Sequence, residues 1–113
     1  MSGISTHILD ISRGKPAPGV EITLEWKDGE NWREVSSQPT DDDGRVKQLL
    51  PQREALQSGE YRLTFHTKAY FEARGVEGLY PIVQVTITVT DIEGHYHIPL
   101  LLTANGYSTY RGS

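Results

Sequence analysis

Cysteine is absent from this chain, and with it a disulfide scaffold, a cysteine-ligated zinc site and a thiol nucleophile. Long apolar runs are absent too. The longest, Ile98-Pro99-Leu100-Leu101-Leu102, falls far short of the ~20 residues that span a bilayer. The first residues, Met1-Ser2-Gly3-Ile4-Ser5-Thr6-His7, have neither the basic nor the apolar region of a secretory signal. Basic charge is scarce: eleven Lys and Arg against fifteen Asp and Glu leave a net charge of −4. That balance favours neither nucleic acid nor an anionic membrane as partner. These absences lead us to expect a soluble, cytoplasmic protein. Familiar catalytic motifs are missing as well. There is no Gly-x-Ser-x-Gly elbow, and Gly75-Val76-Glu77-Gly78 lacks the lysine of a phosphate-binding loop.

What remains is 113 residues, enough for one domain spanning 1–113. A folded monomer of this mass exposes roughly 6,200 Å², about a third of the extended chain's surface. An apolar fraction of 36% is modest for so small a core, which points to a shared interface between copies.

The dominant period is two. Val20, Ile22, Leu24 and Trp26 alternate with Glu21, Thr23 and Glu25, the pattern of a strand with one wet face. The Asp28-Gly29 pair then predicts a hairpin returning through residues 31–37. Similar alternation marks Tyr61-Leu63-Phe65, Val83-Val85-Ile87-Val89 and Tyr96-Ile98-Leu100-Leu102. A short strand is expected at residues 45–47, a first one over 4–10 and a last one over 107–111. About eight strands with Gly, Pro and Asp punctuation make an antiparallel β-sandwich. Residues 52–57 fit one helical turn, and residues 68–74 a short helix stopped by Gly75. Pro99 cannot donate to a ladder, so its place is expected at a bulge or a non-bonded position.

The chemistry-bearing residues are few. His95-x-His97 puts two imidazoles on one face of a strand, the face opposite Tyr96 and Ile98. Two readings stand: histidines on a wet sheet face, or acid–base groups poised near neutral pH. A metal site with His7 as third ligand would need convergence that H-x-H alone does not supply. Arg45 follows the run Asp41-Asp42-Asp43-Gly44, which lacks the spaced ligands of a calcium loop and reads as a solvated turn. Its guanidinium is either a solvated turn residue or a clamp for an oxyanion or carboxylate. Chain ends commonly fray. The end here, Gly106-Tyr107-Ser108-Thr109-Tyr110-Arg111-Gly112-Ser113, instead has the composition of a docked segment.

Three segments carry a resemblance: Ser5-Thr6-His7-Ile8-Leu9-Asp10, His95-Tyr96-His97-Ile98-Pro99-Leu100-Leu101-Leu102, and Tyr107-Ser108-Thr109-Tyr110-Arg111-Gly112-Ser113. Together with Asp43-Gly44-Arg45, Gly59-Glu60-Tyr61-Arg62-Leu63 and Tyr80-Pro81, the chain resembles the transthyretin-related 5-hydroxyisourate hydrolases of urate degradation. The Tyr-Arg-Gly-Ser ending is the most specific mark, and it favours the enzyme branch over the hormone-carrying one. Thr103-Ala104-Asn105 and Ile82 depart from the family pattern without touching the proposed chemistry. The resemblance implies a transthyretin-like all-β sandwich with one short helix, assembled as a homotetramer whose sites lie between dimers. It implies hydrolysis of 5-hydroxyisourate to 2-oxo-4-hydroxy-4-carboxy-5-ureidoimidazoline with neither metal nor other cofactor. Catalytic positions fall on His7, Arg45, His97 and Ser113, and substrate-binding positions on Tyr110, Arg111 and Gly112. His95 receives no direct role, and His66 matches no motif. The competing readings are a non-catalytic carrier and a generic β-sandwich recognition module.

Overall fold

Two sheets face each other across the apolar residues that the alternation selects. A computed structural model describes residues 2–113. In chain order the elements are β1 (Gly3–Asp10), β2 (Lys15–Pro16), β3 (Glu21–Asp28), β4 (Asn31–Pro39), β5 (Arg45–Val46), β6 (Gly59–Phe65), α1 (Thr67–Glu72), β7 (Val83–Val89), β8 (His95–Thr103) and β9 (Gly106–Thr109). One sheet runs β2-β1-β8-β9, with β5 also paired to β1; the other runs β4-β3-β6-β7. Every pairing is antiparallel except that of β1 with β8, which is parallel. A parallel neighbour needs a long crossover. Here the whole second sheet lies between β1 and β8 in sequence.

The inner faces are those the period predicts. Val20, Ile22 and Leu24 are fully buried, as are Ile4, Ile8, Leu63, Phe65 and Leu100. Each such aliphatic or aromatic side chain contributes roughly 1.5–3 kcal/mol by leaving water. Tyr70 and Phe71 of α1 pack over one end of this core. The Tyr70 hydroxyl donates to Asp10 Oδ2 at 2.7 Å, which satisfies a buried carboxylate at the end of β1. The helix begins one residue before the expected start and ends at Glu72, two residues before the expected end, with a turn that closes at Gly75. There Gly75 N–H bonds Glu72 O and Val76 N–H bonds Phe71 O.

Two expectations need correction. Residues 52–57 form no helical turn; a single turn at 52–53, closed by Glu54 N–H on Pro51 O at 2.9 Å, is followed by irregular chain. Leu49, Leu50 and Leu56 are all buried, so docking of these leucines into the core also holds the segment. The last strand also stops at Thr109 rather than at 111. Pro99 explains the early stop. Gly112 N–H donates to His97 O at 2.8 Å, so alternation turns the Pro99 backbone toward the same neighbour, opposite Tyr110. Pro99 has no N–H to give, and its carbonyl instead accepts the Thr109 hydroxyl at 2.7 Å. The ladder lapses at Tyr110 and Arg111 and resumes in the same register at His97–Gly112.

Candidate active site

The outer face of the β1–β8 sheet gathers the polar residues. Parallel register sets Ser5 beside His97 and His7 beside Pro99. On the other flank of β1, antiparallel register sets His7 beside Arg45. Period two then puts Ser5, His7, Arg45, His95 and His97 on one face, away from Ile4, Ile8 and Tyr96. An open pocket of about 250 Å³ is lined there by Ser5, Thr6, Arg45, Val46, Lys47, His95, His97 and Ser113. Its lining includes Arg45 and Lys47 but no Asp or Glu side chain.

Arg45 is presented by a built turn. Asp41 Oδ1 accepts the backbone N–H groups of Asp43 and Arg45, both at 2.9 Å. These bonds, the one from Arg45 first, hold the Asp41 carboxyl below its ordinary pKa. Gly44 between them has φ 74°, and its carbonyl accepts Ile8 N–H at 2.7 Å. A Cβ at this position would stand 2.5 Å from Ile8 O, so only glycine brings the turn this close to β1. The aspartate run is thus an exposed turn, as expected, that also fixes the Arg45 backbone. Arg45 itself is exposed and forms no ion pair among the described residues.

Both His7 and His97 are held below the ordinary histidine pKa of 6.5. Burial is the largest cause for each, and the Arg45 charge is second. For His97, the neighbouring His7 and His95 push the same way. For His7, Asp43 and Asp41 oppose the shift without reversing it. Both imidazoles are therefore neutral at pH 7, the form that accepts a proton.

Ser5 lies between the two strand-β8 histidines. Its Oγ is 2.8 Å from His95 Nε2 and 2.7 Å from His97 Nδ1. Residue types alone do not single out this serine; the parallel register of β1 with β8 makes it a partner of His97. The H-x-H spacing leads here to a shared hydroxyl. Among the described residues, no three His, Cys, Asp or Glu side chains converge to hold a metal ion.

The tail splits across the sheet. Gly112 packs on the His97 ring so closely that a Cβ would stand 2.5 Å from His97 Cδ2 and 3.3 Å from Pro99 Cγ. Ser113 reaches the histidine pocket. Arg111 turns the other way: its guanidinium lies 4.3 Å from the Tyr96 ring centroid. With Tyr110 it borders a separate, more apolar groove of about 260 Å³ beside Val85, Ile87 and Ile98. Of the seven site residues read from the sequence, the single chain brings His7, Arg45, His97, Gly112 and Ser113 together, with Arg45, His97 and Ser113 lining the pocket, and leaves Tyr110 and Arg111 at the apolar groove. Strand alternation, which opposes 111 to 112, was the available signal for Arg111. His66 is remote from all of these; its Nε2 pairs with Thr23 Oγ1 at 3.0 Å beside α1.

Fold and site together define a transthyretin-like β-sandwich with a histidine–arginine pocket on the outer face of one sheet. Sea bream transthyretin, solved in complex with thyroxine, superposes with a TM-score of 0.89 at 27% identity, covering 96% of this chain and 93% of that one. The HIUase/Transthyretin family model matches residues 4–112. A 5-hydroxyisourate hydrolase of Salmonella dublin is 46% identical over 110 residues, 97% of this chain and 80% of that protein. The solved 5-hydroxyisourate hydrolase of Klebsiella pneumoniae is 36% identical with a TM-score of 0.87, each chain covered completely. This chain belongs to the HIUase/transthyretin family and, within it, is a hydrolase.

Proposed function

We propose that this protein hydrolyses 5-hydroxyisourate, opening a ring amide to give 2-oxo-4-hydroxy-4-carboxy-5-ureidoimidazoline, as one step of urate degradation. The observation that carries the reading is the grouping of His7, Arg45 and His97, the imidazoles kept neutral by burial and by the guanidinium beside them. Amide hydrolysis asks for three things: a base for water, charge for the tetrahedral oxyanion, and an acid for the leaving nitrogen. A neutral His7 or His97 takes the water proton and returns it to nitrogen. Arg45 faces the developing oxyanion with a permanent planar donor fork. Ser113 holds the water or steadies an imidazole, and Gly112 seats the tail on His97. Arg111 anchors that tail by stacking on Tyr96, and Tyr110 lies beside it.

The working form in this reading is a homotetramer in the cytoplasm, a dimer of dimers in which a second copy covers the histidine face. An open pocket on a sheet face supports it, because covering excludes water and strengthens each electrostatic contact. Light scattering should give about 51 kDa, four times the 12.7 kDa chain.

The direct test is to mix the protein with freshly generated 5-hydroxyisourate and follow the near-ultraviolet absorbance. Decay well above the spontaneous rate is expected; decay at the spontaneous rate would leave the carrier reading. A second test uses the tail. Gly112→Ala inserts a methyl group where His97 Cδ2 stands, so ring or tail must shift. Misplacement on the scale of 1 Å is expected to cost about 10²-fold in kcat. Gly112 lies beyond the last strand, so stability should change by less than about 0.5 kcal/mol in a denaturant melt.

A further inference from the structure

The bridging hydroxyl of Ser5 has one proton and two nitrogen neighbours. It can donate to only one of them and must accept from the other. The tautomers of His95 and His97 are therefore tied. If Ser5 donates to His95 Nε2, then His97 carries its proton on Nδ1 and presents an unprotonated Nε2. If Ser5 donates to His97 Nδ1, the proton sits on His97 Nε2 and His95 Nε2 is the donor. Switching between these states moves a proton from one imidazole to the other through the hydroxyl. Within one chain Ser5 is buried while His95 is exposed, so the line runs from beneath the pocket to its rim.

We propose that Ser5 and His95 form a proton relay for His97, with Ser5 as the conductor and His95 as the outlet. The proposal rests on the hydrolytic reading above and gives a role to two of the pocket residues that reading left unused. In the attacking step His97 Nε2 takes a proton from water while the water oxygen bonds to the carbonyl carbon. The His97 Nδ1 proton passes to Ser5 Oγ, and the Ser5 proton passes to His95 Nε2. His97 ends neutral with its proton on Nε2, Ser5 is again a hydroxyl, and His95 carries the added charge. The same path in reverse returns the proton when the C–N bond breaks and nitrogen needs one.

The surroundings favour moving that charge outward. His97 is faced by His7 from β1, Arg45 from β5, Lys47 just after that strand, His95 from its own strand and the 112–113 segment of the tail. The side chains of that set are cationic or can become so, apart from Ser113, whose α-carboxylate supplies the negative charge at the pocket. An imidazolium held at His97 would be repelled from several sides. His95 lies beside Gly3, farther along β1 from His7 and its neighbour Arg45 than His97 does, so a charge passed there leaves those two groups. Ser5 and His95 are positioning residues in this scheme, since neither has to touch the substrate.

Two variants test it. Ser5→Ala removes the conductor; His95→Gln keeps a hydrogen-bonding group near Ser5 but cannot hold the proton. The first measurement needs no substrate: nitrogen-15 NMR of the imidazoles across a pH titration. In the wild type, the titrations of His95 and His97 should be coupled, and the His97 tautomer should change in Ser5→Ala. Independent titration with one unchanged tautomer would overturn the relay, whatever the protein hydrolyses. Coupling without turnover of 5-hydroxyisourate would instead overturn the substrate and leave the relay standing. The second measurement is kinetic. Both variants should lose about 10- to 100-fold in kcat, less than the ~10²–10⁴-fold of losing the base itself, with KM nearly unchanged. The wild-type rate should fall along a curve with deuterium fraction, because several protons move together, and both variants should give a straight line. A straight line in the wild type, or His95→Gln with wild-type kcat, would overturn the proposal.

Discussion

Replacing His97 with asparagine is expected to lower kcat for 5-hydroxyisourate by about 10²–10⁴-fold, the usual worth of a positioned acid–base group. Asparagine is close in size to histidine and retains a polar group within reach of Ser5. Gly112, which packs on the ring, keeps a surface to rest on. The Gly112 N–H bonds the His97 backbone carbonyl, which the substitution leaves in place. The fold should therefore survive, and the melting temperature and solution mass of His97→Asn are the controls. The loss belongs in kcat because the removed group takes a proton only as the reaction proceeds. Single-turnover absorbance traces measure that step directly. A variant within fivefold of wild type would remove His97 from the base role and leave His7 to fill it.

The strands were readable because one face of each is wet. Val20, Ile22 and Leu24 are fully buried and Glu21 is exposed, as period two requires. Alternation is silent on which strand lies beside which. The pairing of Ser5 with His97 spans 92 residues and runs parallel, so nothing local announces it. The two-residue strands β2 and β5 are too short to show a period at all. Residues 52–57 have helix-forming composition, yet three buried leucines around them are held by tertiary docking, which overrides propensity. The tail was legible as a docked segment from its composition. Its division between two faces follows from alternation, and its lapse opposite Pro99 from a missing donor. His7, Arg45 and His97 were named by resemblance. Their spacing alone left solvated surface residues as the readier account. What distinguishes the two accounts is convergence: three side chains from β1, β5 and β8 on one face, with no carboxylate side chain in the pocket lining.

Arg45 makes the second large prediction, and it has two parts that separate two roles. Arg45→Gln should lower kcat/KM by about 10²–10³-fold, the cost of losing one good oxyanion donor. It should also move the pH profile. In the wild type, burial first and the Arg45 charge second hold both His7 and His97 below 6.5. The base must be neutral, so the acid limb of the activity profile should lie below the 6.5 of an ordinary histidine. Removing the guanidinium removes a cation that opposes protonation, so both histidine pKa values rise and the acid limb shifts toward 6.5. Burial still acts in the variant, which keeps the limb from reaching the value of a free imidazole. Arg45→Lys divides the effects. It retains the charge and should leave the acid limb near its wild-type position, yet it lacks the planar fork and should recover only part of the rate. The expected ordering in rate is therefore wild type, then lysine, then glutamine, while in acid-limb position lysine groups with wild type. A rate loss in Arg45→Gln with no movement of the limb would confine Arg45 to the oxyanion and assign the low histidine pKa values to burial alone.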